Sequence, residues 1–247
     1  MYVELGMHRP QFLLLSLVLC VAPVWADAPA NPKFPGPYSA RYTGVMGLLD
    51  TRVNLARTAV GLRYEYRSSL AGYTFYECSL MALNDGQLAP IEFIHKEIGG
   101  DGKRDEHILF DAAKRTVSVT HGGETRVYPD LNFPIWDALS VQLKVAADIA
   151  GGLKALSYQV ADKGGIKTRN FRVGQPGRVS FKGRDYAGVR IERDETKQRF
   201  YILVAPKLNY VPVELGYNAK VVGWVTAGLA EYQTGSAATV PARCEPK

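Results

Sequence analysis

Leu62-Arg63-Tyr64-Glu65-Tyr66-Arg67 alternates apolar and charged side chains without a break. Successive side chains of an extended chain point to opposite faces. Leu62, Tyr64 and Tyr66 therefore share one face, and Arg63, Glu65 and Arg67 share the other. A strand of this kind belongs to an antiparallel sheet with one packed and one wet face.

The same pattern extends in both directions. Strands are expected at 38–46, 51–57, 62–68, 74–83, 91–95, 107–110, 116–120 and 125–128. Turn signals separate them: Asn84-Asp85-Gly86, the glycine-rich 99–102, the run 111–114 and Gly122-Gly123. Seven more strands are expected at 155–160, 168–173, 178–181, 188–193, 199–204, 210–216 and 223–232. One segment breaks the pattern. In 134–150 (PIWDALSVQLKVAADIA) Trp136, Leu139, Leu143, Ala146 and Ala150 recur at helical spacing. Pro134 near its start and Gly151-Gly152 after its end punctuate a helix over 134–150. The fold class read from this order is mainly β: one strongly curved antiparallel sheet, or a partly open β-barrel, with that helix packed on it.

Composition agrees with a folded domain. The 247 residues are 47% hydrophobic and 22% charged, which excludes a disordered tail or a collagen-like repeat. Three Cys and four His are too few for a cysteine-rich scaffold. At the start of the chain, residues 12–24 (FLLLSLVLCVAPV) form an apolar run of signal-peptide length, and Val24-Trp25-Ala26 fits a cleavage site. The expected organisation is a signal peptide over 1–26 cleaved after Ala26, a proline-rich lead-in over 27–37, a β domain over 38–233 and a polar tail over 234–247. Cleavage leaves Cys78 and Cys244. In an oxidising compartment this pair can form one disulfide; the alternative is two free thiols, one buried and one in the tail.

Motifs for catalysis are missing. HExxH, CxxC, GxSxG and calcium-loop patterns do not occur, and Gly99, Gly100 and Gly102 lie between strands rather than at a phosphate-binding strand–helix junction. No metal ligand, catalytic residue or cofactor is assigned. Asp137 reads as charge in the first turn of the helix, and Ser140 as a packing or backbone-bonding residue. Strand pairing would be able to bring His95 and His107 together across the glycine-rich turn. Charge is more informative: residues 151–200 carry 12 Lys plus Arg against 5 Asp plus Glu. In an exported protein a basic face meets anionic lipid heads or acidic polymers rather than nucleic acid.

Several stretches together resemble a known family. They are Tyr38, Ala40 and Tyr42; the 62–68 strand leading to Ala71-Gly72; Gly86-Gln87-Leu88-Ala89-Pro90-Ile91; Trp136-Asp137-Ala138-Leu139-Ser140; and Asn209-Tyr210-Val211-Pro212-Val213-Glu214-Leu215. In this order, over roughly 38–232, the chain resembles the bacterial family called domain of unknown function 3108. The resemblance implies an exported, β-rich protein of a Gram-negative envelope and brings no catalytic residue with it.

The functional expectation is a non-enzymatic periplasmic or envelope protein that binds a lipid or another amphipathic anionic ligand in a concave cavity of the sheet. Tyr64, Tyr66, Trp136, Leu139 and Leu143 would line the cavity, with Lys167 and Arg169 near the head group. Peripheral membrane contact belongs to the same expectation. A structural or protein-interaction module of the periplasm is the alternative, and a hydrolase without a motif is the third. Oligomeric state is not legible.

Overall fold

The computed structural model describes residues 34–44, 49–70, 72–193, 200–219, 223–235 and 239–246. The expected leader, its cleavage point after Ala26 and most of the lead-in lie outside the described residues. The strands are β1 (Tyr38–Gly44), β2 (Leu49–Thr58), β3 (Gly61–Leu70), β4 (Tyr73–Asn84), β5 (Gln87–Ile98), β6 (Glu106–Asp111), β7 (Thr116–His121) and β8 (Glu124–Tyr128). The helix α1 (Ser140–Ala150) follows, then β9 (Ala155–Asp162), β10 (Gly165–Val173), β11 (Gly177–Phe181), β12 (Arg184–Arg193), β13 (Phe200–Ala205), β14 (Val211–Ala219), β15 (Gly223–Thr234) and β16 (Thr239–Val240).

These strands form one sheet. Its hydrogen-bonded path runs β8-β7-β6-β5-β4-β3-β2-β1-β15-β14-β13-β12-β10-β9, with β11 on β12 and β16 on β2. The sheet is mainly antiparallel and mainly consecutive, as hairpin turns dictate. The first half of the chain runs outward from β1 to β8, and β15 returns to pair with the other side of β1.

The barrel expectation is corrected here: the sheet is neither closed nor strongly curved. A barrel requires its end strands to pair, and β8 and β9 instead end the ladder. The physical reason lies in the connection between them. The Trp136 N–H donates to the Gln159 carbonyl (2.9 Å) and the Ala161 N–H donates to the Trp136 carbonyl (2.8 Å). Trp136 thus bridges Val160 in parallel and occupies the free edge of β9.

The same bonds correct the helix, which begins at Ser140 rather than at 134. Asp137 turns the chain between bridge and helix. Its carboxylate accepts the Leu139 and Ser140 N–H groups (2.8 and 2.9 Å) and the hydroxyls of Ser140 and of Ser79 on β4 (both 2.7 Å). Free N–H groups at a helix start need such acceptors. Burial nevertheless holds the Asp137 carboxyl above its ordinary range, with the four donors working the other way.

Alternation along the strands collects the core on one face. Tyr38, Tyr42, Val53, Leu55, Leu62, Tyr64, Phe93, Ile108 and Val117 pack there against Trp136, Leu139 and Leu143. A second, small cluster of Tyr76, Cys78 and Ile94 lies on the opposite face and is covered by Cys244.

Candidate functional site

Tyr64, Tyr66, Trp136, Leu139 and Leu143 are all brought together, as buried members of one packed core. Their hydroxyls are satisfied within it. Tyr38 and Tyr64 hydroxyls are 3.0 Å apart, those of Tyr64 and Tyr66 2.8 Å, and Tyr66 donates to Gln142 Oε1 on α1 (3.1 Å). Burial pushes the phenols of Tyr38, Tyr64 and Tyr66 well above their ordinary value, so they work as neutral hydrogen-bonding groups. The chain of hydroxyls joins β1, β3 and α1.

Lys167 and Arg169 stand apart from that cluster, on β10. Both are held by Asp162 of β9, Lys167 Nζ at 3.2 Å and Arg169 Nη2 at 2.7 Å. Arg172 and Arg190 are likewise paired, with Glu192. Four of the twelve cations of 151–200 are thus held by two acids of the same segment, Asp162 and Glu192, and its excess of positive charge persists.

A titratable row crosses the core-side face near one end of the sheet. Glu77 is directly opposite His95, His95 opposite Glu106, and Glu106 opposite His121. His95 Nδ1 is 2.9 Å from Glu77 Oε1, and this bond raises the imidazole pKa above its ordinary value. Glu106 is pushed up to about 7, first by burial and then by the nearby negative charge of Asp162. Its Oε1 is buried and makes no hydrogen bond among the described residues. Strand pairing does not bring His95 and His107 together: they point to opposite faces, and His107 Nε2 is 2.9 Å from Glu92 Oε1.

The opposite face carries the arrangement that was not read from the sequence. Arg41 on β1 is directly opposite Arg52 on β2, and Arg52 directly opposite Arg67 on β3. The row continues through Tyr76 on β4 to Lys96 on β5. Like charges directly opposite on adjacent strands are destabilising by roughly 0.2–1 kcal/mol each. At one end Arg41 is held by Asp50 (2.8 Å) and Glu231 (3.2 Å). Arg52, at the centre, is exposed and makes no hydrogen bond or ion pair among the described residues. An open groove of about 830 Å³ follows the row, lined by Arg41, Arg52, Arg63, Arg67 and Lys182 against Glu65, Glu231 and Glu245.

The C-terminal segment forms one wall of this groove. Cys244 is bonded to Cys78, with Cα atoms 5.7 Å apart. Arg63 Nη1 donates to the carbonyls of Pro241 (3.0 Å) and Arg243 (3.3 Å), and Thr239–Val240 adds a short parallel strand to β2. Residues 239–246 are thus tied across the outer face. The signal that would have found Arg41 is the alternation of Tyr38, Ala40 and Tyr42, which leaves the residue between Ala40 and Tyr42 on the other face; the cross-strand register is not local. No family model matches the chain, and no curated protein matches it.

Proposed function

We propose that this is an exported, non-enzymatic binding protein of a Gram-negative envelope, and that its outer groove holds the acidic group of an anionic envelope component. The in-register row Arg41–Arg52–Arg67 carries this reading. It concentrates positive charge at a cost in stability that a bound anion would relieve. Guanidinium forks match phosphate and carboxylate oxygens, so either group suits the row chemically. The apolar leader over 12–24 supports export, and the Cys78–Cys244 disulfide suits an oxidising compartment. The ligand position differs from the interior cavity expected from sequence, because Tyr64, Tyr66, Trp136, Leu139 and Leu143 are engaged with one another in the core. The test is titration with inorganic tripolyphosphate, a soluble anion without an acyl chain. Wild type should bind it, and Arg52→Gln should weaken that binding while Lys207→Gln, between β13 and β14 and outside the groove lining, leaves it unchanged.

A further inference from the structure

Seven large hydrophobic side chains are exposed among the described residues, and three of them gather at one end of the sheet. Tyr73 opens β4, Ile98 closes β5 and Trp224 is the second residue of β15. Strand directions place all three at that end, because β5 runs toward it while β4 and β15 start from it. Their exposures are 66% for Tyr73, 39% for Ile98 and 47% for Trp224. The strand spacing separates β5 from β15 by about 24 Å, so the three mark a surface rather than a pocket.

Trp224 is held rather than loose. Its ring stacks on Tyr201, with centroids 5.5 Å apart and planes at 18°, and the Arg190 guanidinium lies 3.5 Å from the centre of the Tyr201 ring. Gly216, opposite Tyr201, makes the seat: a Cβ there would stand 2.1 Å from the Tyr201 ring. A rigid aromatic ring fixed at the rim of a sheet suits the membrane interface, where the amphipathic rings of Trp and Tyr settle at head-group level.

Cations border these side chains. Lys103 and Arg104 in the β5–β6 connection are largely exposed and lie beside Tyr73 and Ile98 in one open groove, paired there with Asp101 (2.6 Å) and Glu97 (3.3 Å), so the uncompensated charge at this end comes from the arginine row. The arginine row begins three residues inward from the end of β1, about 10 Å by strand rise, within reach of head groups for long side chains. We infer that this end of the sheet docks on an anionic lipid bilayer, Tyr73, Ile98 and Trp224 entering the interface and the arginine row meeting lipid phosphates. The inference deepens the proposed anion site and rests on it for the row's role. Charge complementarity and interfacial aromatics at one end select a lipid surface as the partner.

The experiment uses the full chain and its Trp224→Phe variant, whose spectra differ only by Trp224. Both are mixed with vesicles of phosphatidylcholine alone, with vesicles containing phosphatidylglycerol, and with soluble tripolyphosphate. The expected result is a blue shift of the difference spectrum, with protection from acrylamide quenching, on phosphatidylglycerol vesicles only. If Trp224 shows no shift there while tripolyphosphate still binds through Arg52, docking is overturned and the anion site stands. An equal shift on phosphatidylcholine alone overturns the anionic requirement. A shift on phosphatidylglycerol vesicles without any Arg52-dependent tripolyphosphate binding supports docking through the end and removes the row as an anion site. Absence of both effects overturns both.

Discussion

Tyr64 is buried between two hydroxyl partners, Tyr38 and Tyr66, and the chain it completes ends on Gln142 of α1. Tyr64→Phe keeps the ring and removes the link. Two buried hydroxyls then each lose a partner, which costs about 1–3 kcal/mol in total. Urea titration should show the midpoint falling with an unchanged slope; an unchanged midpoint would mean that the hydroxyl chain contributes nothing. The ring positions of Tyr64 and Tyr66 were legible from alternation alone. Their hydroxyl bonds were not, since those depend on which strand lies beside which. Arg52 was likewise legible as an outward residue but not as the centre of a row, because a cross-strand neighbour is a property of register.

At the scale of elements, the Glu77–His95–Glu106 row predicts a pH dependence. Glu106 is raised to about 7 by burial, so the fold favours its protonated form. Its contribution is greatest at low pH and is lost as pH rises from its ordinary value near 4.5 through about 7. His95 is raised above 6.5 by Glu77, so its contribution is complete below 6.5 and fades as pH rises through the folded value. Both have the same sign. The facing charges of Asp162, Glu77 and Lys163 bear on Glu106 in the native state, and the measured slope is their sum. Stability measured by denaturant between pH 4.5 and 7 should decline, and Glu106→Gln should flatten the decline. An identical slope in the variant would remove Glu106 from the explanation.

The strands themselves were legible because period-two alternation and glycine turns are local signals. Every one of the fifteen expected strands overlaps an observed one. The start of α1 was not, because Ile135 and Trp136 carry a helix-compatible pattern that the edge of β9 captures through backbone hydrogen bonds. That same capture is why an open sheet stands where a barrel was expected. Edge pairing is a long-range competition that no window of the chain displays.

Over the whole molecule, the Cys78–Cys244 bond closes a sequence separation of 166 residues and ties the last described residues to β4. A cross-link over so long a loop stabilises chiefly by restricting the unfolded chain. Cys244→Ser should lower unfolding stability by about 2–5 kcal/mol. Reductant should have a comparable effect on wild type and none on the variant. Equal stability of the two proteins under oxidising conditions would show that the tether does not constrain the unfolded state.

The proposed binding function rests on the outer face: a packed core and α1 hold a sheet whose other side presents Arg41, Arg52 and Arg67 in register along an open groove. Calorimetric titration of inorganic tripolyphosphate into wild type and Arg52→Gln tests it most directly. Loss of one charge-assisted contact corresponds to about a tenfold weaker affinity or more. Binding by wild type, weakened at least that far in Arg52→Gln and unchanged in Lys207→Gln, is the predicted result. Equal affinity in wild type and Arg52→Gln, or no binding by wild type, would contradict it.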